Sequence, residues 1–600
     1  MADFLIVRLV RSSLLCILVL LPCYYLLGYS VLNAIACCWH QRFNQSQDVK
    51  FEDILISALA TLALILIGCK VVGVFPQLQL IWFLSTVISI VCLVGSWVHS
   101  RFSGVRSIIK LPLPVPNWRS LLLGLLLFTI YLVHTLVKAR SLANAQYIPS
   151  RFNTDIFLYI RRSIVFLGDK AQIQLENGQP IIDILYNSPK LLSTLIYSSF
   201  TYVSGDIGVA ATIITSLVLT AIALKYLTLI KTASGFDSAS TTLALAMLII
   251  FQPVWCWLQD QFYWSNLLCI YLLIYALEDL ILARQIKSNY LGKLAIALTA
   301  LAGFYPSQLP FFMVAAMAGI MFHPGLAAKS RYRYLLSIFI MTMAIACLFF
   351  TQYLATGEVF QHFNLADAKH GQNLNYIPFW SLLDYTPRTG GTPKDLGAIL
   401  LISASLIVGL FVVRYCTKTI PTAANWFRLL YALYTLYSIS YLVLPGEYRQ
   451  SKFFFTYIVP LIVFCLLRVV LQTSLSNKPV FKILFAVLAI YVAIKSWLKP
   501  YKPHVSREIS TAIATVQSLN KPTLIYMYEG SIAHGYYYFA SQLKNLDFEL
   551  ISGCPEASAQ NQIKPKQQTI VVDTACPQIT DNPNLQSSVI YTDINGDDID

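Results

Sequence analysis

A chain of 600 residues that is 57% hydrophobic and only 12% charged, with a mean hydropathy of +0.63, is too apolar for a soluble globular protein. It reads as a polytopic membrane protein. A net charge of +14 would suggest nucleic acid in a soluble chain, but here the basic residues are spread over membrane-flanking loops, which points to topology and anionic lipid and excludes nucleic acid as a partner.

A membrane span needs about 20 mostly apolar residues, and about fourteen such stretches are predicted, near 13–36, 54–74, 78–97, 120–136, 207–230, 240–257, 265–281, 292–304, 309–322, 335–352, 398–413, 424–444, 453–473 and 483–498. The first follows Arg8 and Arg11. Its length and its lack of a small-x-small cleavage site identify it as a retained helix and not a secretory signal peptide. The spans are nearly free of charge, and no internal repeat is evident.

Lys and Arg in short loops favour the cytoplasm. One alternate set of loops carries Arg101, Arg106, Lys110 and Arg119, then Lys225 and Lys231, Arg284, Lys287 and Lys293, Lys329, Arg331 and Arg333, Arg414, Lys418 and Arg428, and Lys478 and Lys482. These loops are expected inside. The loops at 137–206, 353–397 and 445–452 and the tail from about Lys499 then lie outside, in the periplasm if the membrane is a bacterial inner membrane. Arg8 and Arg11 dissent, because the same alternation puts the N-terminus outside.

The tail changes character, with more acids than bases, and ends on Asp593-Ile594-Asn595-Gly596-Asp597-Asp598-Ile599-Asp600. A helical pattern at 506–519 precedes a strand at 522–528, a helix at 533–546 and strands at 548–551 and 569–573. That alternation predicts a compact α/β unit with a short parallel sheet. The expected organisation is therefore a multi-span membrane domain over 1–498 and an external soluble α/β domain over 499–600.

Eleven of the thirteen cysteines lie in or beside apolar spans, where they pack as small hydrophobes. Cys554 and Cys576 fall in the tail and are either a disulfide or two thiols. No Cys/His spacing resembles a zinc site.

The loop at 137–206 carries the most chemistry. Phe152-Asn153-Thr154-Asp155-Ile156-Phe157-Leu158-Tyr159 sets a carboxylate at the membrane face, followed by Arg161 and Arg162. An ionised acid near lipid is costly unless it meets water, a partner or a substrate; the competing explanation is an ordinary solvated loop acid. A short amphipathic helix would keep Asp155 and Tyr159 on one side and turn Ile156, Leu158 and Ile160 to the membrane. The chain re-enters the bilayer through Tyr186-Asn187-Ser188-Pro189-Lys190-Leu191. Near the end of the membrane region, Pro445-Gly446-Glu447-Tyr448-Arg449-Gln450-Ser451-Lys452-Phe453 runs into Tyr457-Ile458-Val459-Pro460. Arg449 and Lys452 are cations suited to a phosphate, and Arg binds it in bidentate fashion. Anchoring at the membrane interface would use the same residue types.

These segments resemble the integral-membrane glycosyltransferases of the type-C fold, which use polyprenyl-phosphate-linked sugars. In that superfamily the first large external loop begins with an acidic motif and closes on a Tyr-Pro-Pro-Leu-like segment; here Asp155 matches the acid, and Tyr186 to Leu191 resembles the closing segment. Arg449 and Lys452 resemble the segment facing the lipid-phosphate donor. The resemblance spans about 120–470 in general plan. It departs in lacking a paired acid at Asp155 and in placing three spans before the loop.

The resemblance implies an all-α, type-C-like membrane domain that transfers a sugar from a polyprenyl-phosphate donor to a glycan, lipid or protein acceptor at the external face. Asp155 would be the general base, Arg449 and Lys452 the phosphate-binding residues, and Tyr159, Arg161, Tyr186, Lys190, Glu447 and Tyr448 candidate substrate contacts. The chemistry demands no cofactor, and no metal is assigned. The loop at 353–397, with His362, Asp367, Lys369, His370, Asp384 and Arg388, is a lid or a solvated connector. The turns at 259–264 and 304–308 are aromatic and polar, as a sugar-contacting wall or an interfacial belt would be. Alternatives are a transporter or flippase of lipid-linked glycans, a surface-polysaccharide polymerase or ligase, and a non-catalytic scaffold.

Overall fold

The computed structural model describes residues 2–39, 50–74, 76–103, 118–138, 159, 163, 166, 172–173, 191–234, 264–281, 286, 290–323, 325–354, 376–379, 396–419, 424–443, 453–472, 479–497, 507–519, 521–527, 548–552, 569–573 and 589–592. Fifteen α-helices are described among these residues. They are α1 (Ala2–Trp39), α2 (Phe51–Val72), α3 (Leu78–Ser103), α4 (Trp118–Lys138), α5 (Leu191–Ser204), α6 (Ile207–Ser234), α7 (Trp264–Ile281), α8 (Tyr290–Phe304), α9 (Leu309–Met321), α10 (Ala328–Leu354), α11 (Leu396–Thr419), α12 (Ala424–Val443), α13 (Val459–Gln472), α14 (Pro479–Trp497) and α15 (Arg507–Leu519). Seven are long and apolar enough to cross a membrane: α1, α2, α3, α4, α6, α10 and α11. The chain is a multi-pass membrane protein.

In a bilayer every backbone polar group must be satisfied within its own segment, which is why these apolar stretches are helical. The helices sort by what surrounds them. α2 and α6 are buried along most of their length, whereas α1, α3, α10 and α11 present most of their apolar side chains outward. Lipid tails are as apolar as leucine, so the outward faces cost nothing there, and close backbone approach supplies the contacts that hold the inner helices. Gly28 of α1 shows this. A Cβ at that position would overlap the carbonyl of Ile54 in α2, so only glycine fits.

Polar contacts define two ends of the bundle. At one end the start of α2 meets the end of α6, the end of α7 and the start of α8 through charged side chains. At the other, Asp206 caps α6 by accepting a bond from the Val209 N–H at 2.8 Å and pairs with Arg8 of α1, also at 2.8 Å. The start of α5, the start of α7 and the end of α8 meet at this same end.

Among the described residues five short strands form one sheet, β1 (Gln172–Ile173), β2 (Thr523–Met527), β3 (Phe548–Ser552), β4 (Thr569–Asp573) and β5 (Val589–Thr592), all parallel in the order β1-β3-β2-β4-β5. α15 lies against β4 and β5. The edge strand β1 comes from the loop between α4 and α5, with Gln172 opposite Glu549 and Ile173 opposite Leu550. One segment of that loop therefore shares a sheet with the C-terminal tail.

Candidate functional site

Most of the residues expected to carry chemistry lie outside the described residues: Asp155, Arg161, Tyr186, Lys190, Glu447, Tyr448, Arg449 and Lys452. Cys554 and Cys576, the six polar residues of the 353–397 loop and the expected helix at 533–546 do so too. Residues that follow each motif are described. Tyr159, four residues after Asp155, is helical and buried, as are Ser163 and Phe166 at the next helical positions. Its ring packs against Tyr197 and Trp264, with centroids 6.1 and 5.9 Å away.

The Tyr159 hydroxyl lies 2.6 Å from Ser265 Oγ. Ser265 donates to Ser193 Oγ at 3.0 Å, and Ser193 donates to the carbonyl of Phe304 at 3.1 Å. Each hydroxyl has one proton, so the terminal carbonyl sets the direction of the chain and Tyr159 is the donor to Ser265. The Tyr159 hydroxyl thus ties that residue to α7, α5 and the end of α8.

Phe453, one residue after Lys452, is buried and packs on Phe311 and Tyr457 at 5.0 and 5.1 Å. Tyr457 donates to the carbonyl of Gln308 at 3.0 Å. Tyr457 belongs to a π-helical turn, Phe454–Ile458, that leads into α13. Pro460 explains this turn: it has no N–H to give the carbonyl four residues back, and its ring crowds that carbonyl. The Val459 N–H reaches Phe454, five residues back, and Tyr226 of α6 donates to the Pro460 carbonyl at 2.7 Å. Single π turns of this kind recur at functional sites.

Tyr159, through Trp264 and the Ser265–Ser193 chain, and Tyr457, through the Gln308 carbonyl, therefore lead to the turn 304–308, between α8 and α9. The Trp264 ring is 6.0 Å from Phe304. Thirteen buried side-chain polar atoms among the described residues make no hydrogen bond, and Trp264 Nε1, Asn266 Nδ2, Gln308 Oε1 and Thr456 Oγ1 are four of them. An unsatisfied buried polar group costs about 1–3 kcal/mol, and native structures keep few of them.

Compared with known proteins, the chain matches no family model, no curated protein and no solved structure. Among the described residues no group of three or more His, Cys, Asp or Glu side chains is arranged to hold a metal.

Two further networks escaped the sequence reading. At the opposite end of the bundle, Glu278 accepts from Lys225 and Lys50 at 2.8 Å each and from Lys293 at 3.2 Å. Lys225 also holds both Glu52 oxygens at 2.7 Å, Tyr271 donates to Glu52 at 3.2 Å, and Tyr275 donates to Asp53. Lys225 and Glu278 are almost fully buried within α6 and α7. This corrects the expectation of nearly uncharged spans and moves Lys225 from a loop into a helix. Lys50 lies just ahead of α2. Burial would lower its pKa, but the Glu278, Glu52 and Asp53 carboxylates outweigh burial and hold its ammonium above the ordinary range.

The other network pins the middle of the 353–397 loop. Tyr434 donates to the carbonyl of Ile377 at 3.0 Å, and the Phe379 N–H donates to Ser405 Oγ at 2.7 Å. Tyr376 stacks on Tyr437 at 5.4 Å, and Tyr437 packs on Phe454 of the π turn at 5.1 Å. The signal was present as Tyr434, Tyr437, Ser438 and Tyr441, spaced three and four apart along α12.

Proposed function

We propose that the chain is a membrane glycosyltransferase that moves a sugar from a polyprenyl-phosphate donor to an acceptor hydroxyl at the external face. The observation that supports it is that Tyr159, through Trp264, and Phe453, through Tyr457, lead to the same turn 304–308, and these residues stand four and one positions from Asp155 and Lys452. In the proposed reaction the acceptor oxygen attacks the anomeric carbon as the bond from that carbon to the phosphate oxygen breaks. Asp155 takes the acceptor proton, and the polyprenyl phosphate leaves as an anion held by Arg449 and Lys452. One carboxylate suffices for such an inverting displacement.

The same proposal assigns the turn 304–308 to the external side, the paired-lysine end to the cytoplasm, and the tail to an external α/β domain. Two facts favour it. Arg8, which dissents from the charge rule, is neutralised by Asp206, and β1 of the 137–206 loop lies in the sheet of the tail. The proposal retains about fourteen spans. Single-Cys variants in the 137–206 loop, the 353–397 loop and the tail are expected to react with an impermeant thiol reagent in intact cells; protection of any one of the three would reverse that segment.

The buried charges of α6 and α7 favour a second function, transport of a lipid-linked glycan, because intramembrane charges often mark translocation pathways. Purified protein separates the two. Release of polyprenyl phosphate with transfer of labelled sugar to an acceptor supports the enzyme, and movement of intact lipid-linked glycan across a vesicle membrane without release supports the transporter.

A further inference from the structure

We infer that Trp264, Gln308 and Thr456, together with Asn266 two residues further along α7, form a subsite for the hydroxyl groups of the transferred sugar. The inference rests on the glycosyltransferase proposal and adds the residues that would recognise the sugar. It starts from the unpartnered atoms. Trp264 is 1% exposed, Asn266 4%, Gln308 3% and Thr456 0%, and the named atom of each lacks a hydrogen-bond partner.

Their chemistry selects the ligand class. Indole Nε1 and amide Nδ2 are donors, amide Oε1 is an acceptor, and the threonine hydroxyl is both. A phosphate or carboxylate only accepts, so it would leave Gln308 unpaired. An apolar chain would leave all four unpaired. Groups that donate and accept from the same atom satisfy the whole set, and a sugar presents several of them in a row. None of the four side chains is charged, which suits a neutral sugar and leaves the phosphate to Arg449 and Lys452.

The surroundings hold the set in place. Gln308 is fixed through its backbone: its N–H donates to the Tyr305 carbonyl at 2.9 Å and its own carbonyl accepts from Tyr457. Trp264 is held between the rings of Tyr159 and Phe304. Thr456 lies in the π turn, next to the tyrosine that holds Gln308. Side chains fixed in this way give specificity because a missing partner is not replaced by relaxation.

The test compares heat stability and affinity for two kinds of probe in detergent: undecaprenyl phosphate alone, and undecaprenyl phosphate carrying glucose, galactose, mannose or arabinose. In the native protein one or more sugar-bearing lipids are expected to raise the melting temperature beyond the bare lipid. Gln308→Leu keeps the size and removes the unpaired acceptor, so the unliganded variant is expected to melt no lower than the native protein. Its affinity for the favoured sugar-bearing lipid is expected to fall about tenfold, while binding of the bare lipid is unchanged. Trp264→Phe is expected to give the same split.

Retention of the sugar-dependent increment in either variant overturns the subsite, as does a lower melting temperature for unliganded Gln308→Leu, which would reveal a structural partner. Absence of any sugar-dependent increment in the native protein overturns it too, while binding of bare undecaprenyl phosphate in that case leaves the glycosyltransferase proposal standing. Failure to bind either kind of lipid overturns both.

Discussion

Asp155→Asn is expected to cut sugar transfer by about 10²–10⁴-fold while leaving the protein folded and the lipid-linked donor bound. The change preserves shape and removes the base, and a positioned general base typically contributes a factor of that size. Arg449→Ala should act on the other half of the reaction and weaken donor binding, since a charge-assisted contact to phosphate is worth about 1.5–3 kcal/mol. The two variants thus separate turnover from binding. Transfer rates and donor affinities measured on the same purified preparations check both. Near-normal turnover in Asp155→Asn would make it a solvated loop acid and remove the main support for an enzyme.

The apolar runs were legible because a bilayer demands about twenty mostly apolar residues, and α1, α2, α3, α4, α6, α10 and α11 meet that demand. Partnership was not legible. Lys225 stands near the end of an apolar run and reads as a loop cation, because nothing local announces Glu52, 173 positions away, or Glu278, 53 positions away. Arg8 looked like an exception to the charge rule for the same reason; its partner, Asp206, belongs to another helix.

The candidate site divides along similar lines. Residue type and spacing singled out Tyr159 and the turn 304–308, and both belong to one cluster. A tyrosine on the polar side of an amphipathic helix suggests a ligand, and nothing in the residue itself announces that its hydroxyl donates to Ser265, 106 positions away. Gln308 was legible only as part of the polar turn 304–308 and Thr456 not at all, because an unpaired atom is a property of the surroundings and not of the residue.

Glu278 is expected to be the most sensitive position for stability. Three lysines, Lys50, Lys225 and Lys293, converge on its carboxylate, and with Glu52 and Asp53 the cluster is balanced at three positive and three negative charges. Glu278→Leu leaves the cluster with one uncompensated positive charge at the meeting of α2, α6, α7 and α8. Breaking a buried pair by removing one partner typically costs about 3–5 kcal/mol, although the half-exposed Lys50 relaxes into water and softens the loss. A marked fall in melting temperature in detergent should follow. Lys225→Leu with Glu278→Leu restores the balance, leaving Lys50 and Lys293 with Glu52 and Asp53, and apolar side chains of similar volume often replace a buried pair at little cost. The double variant is therefore expected to recover most of the stability lost by the single one. A double-mutant cycle read by thermal unfolding decides the matter, and a simple sum of two losses would show that the lysines and Glu278 are held by their separate surroundings and not by each other.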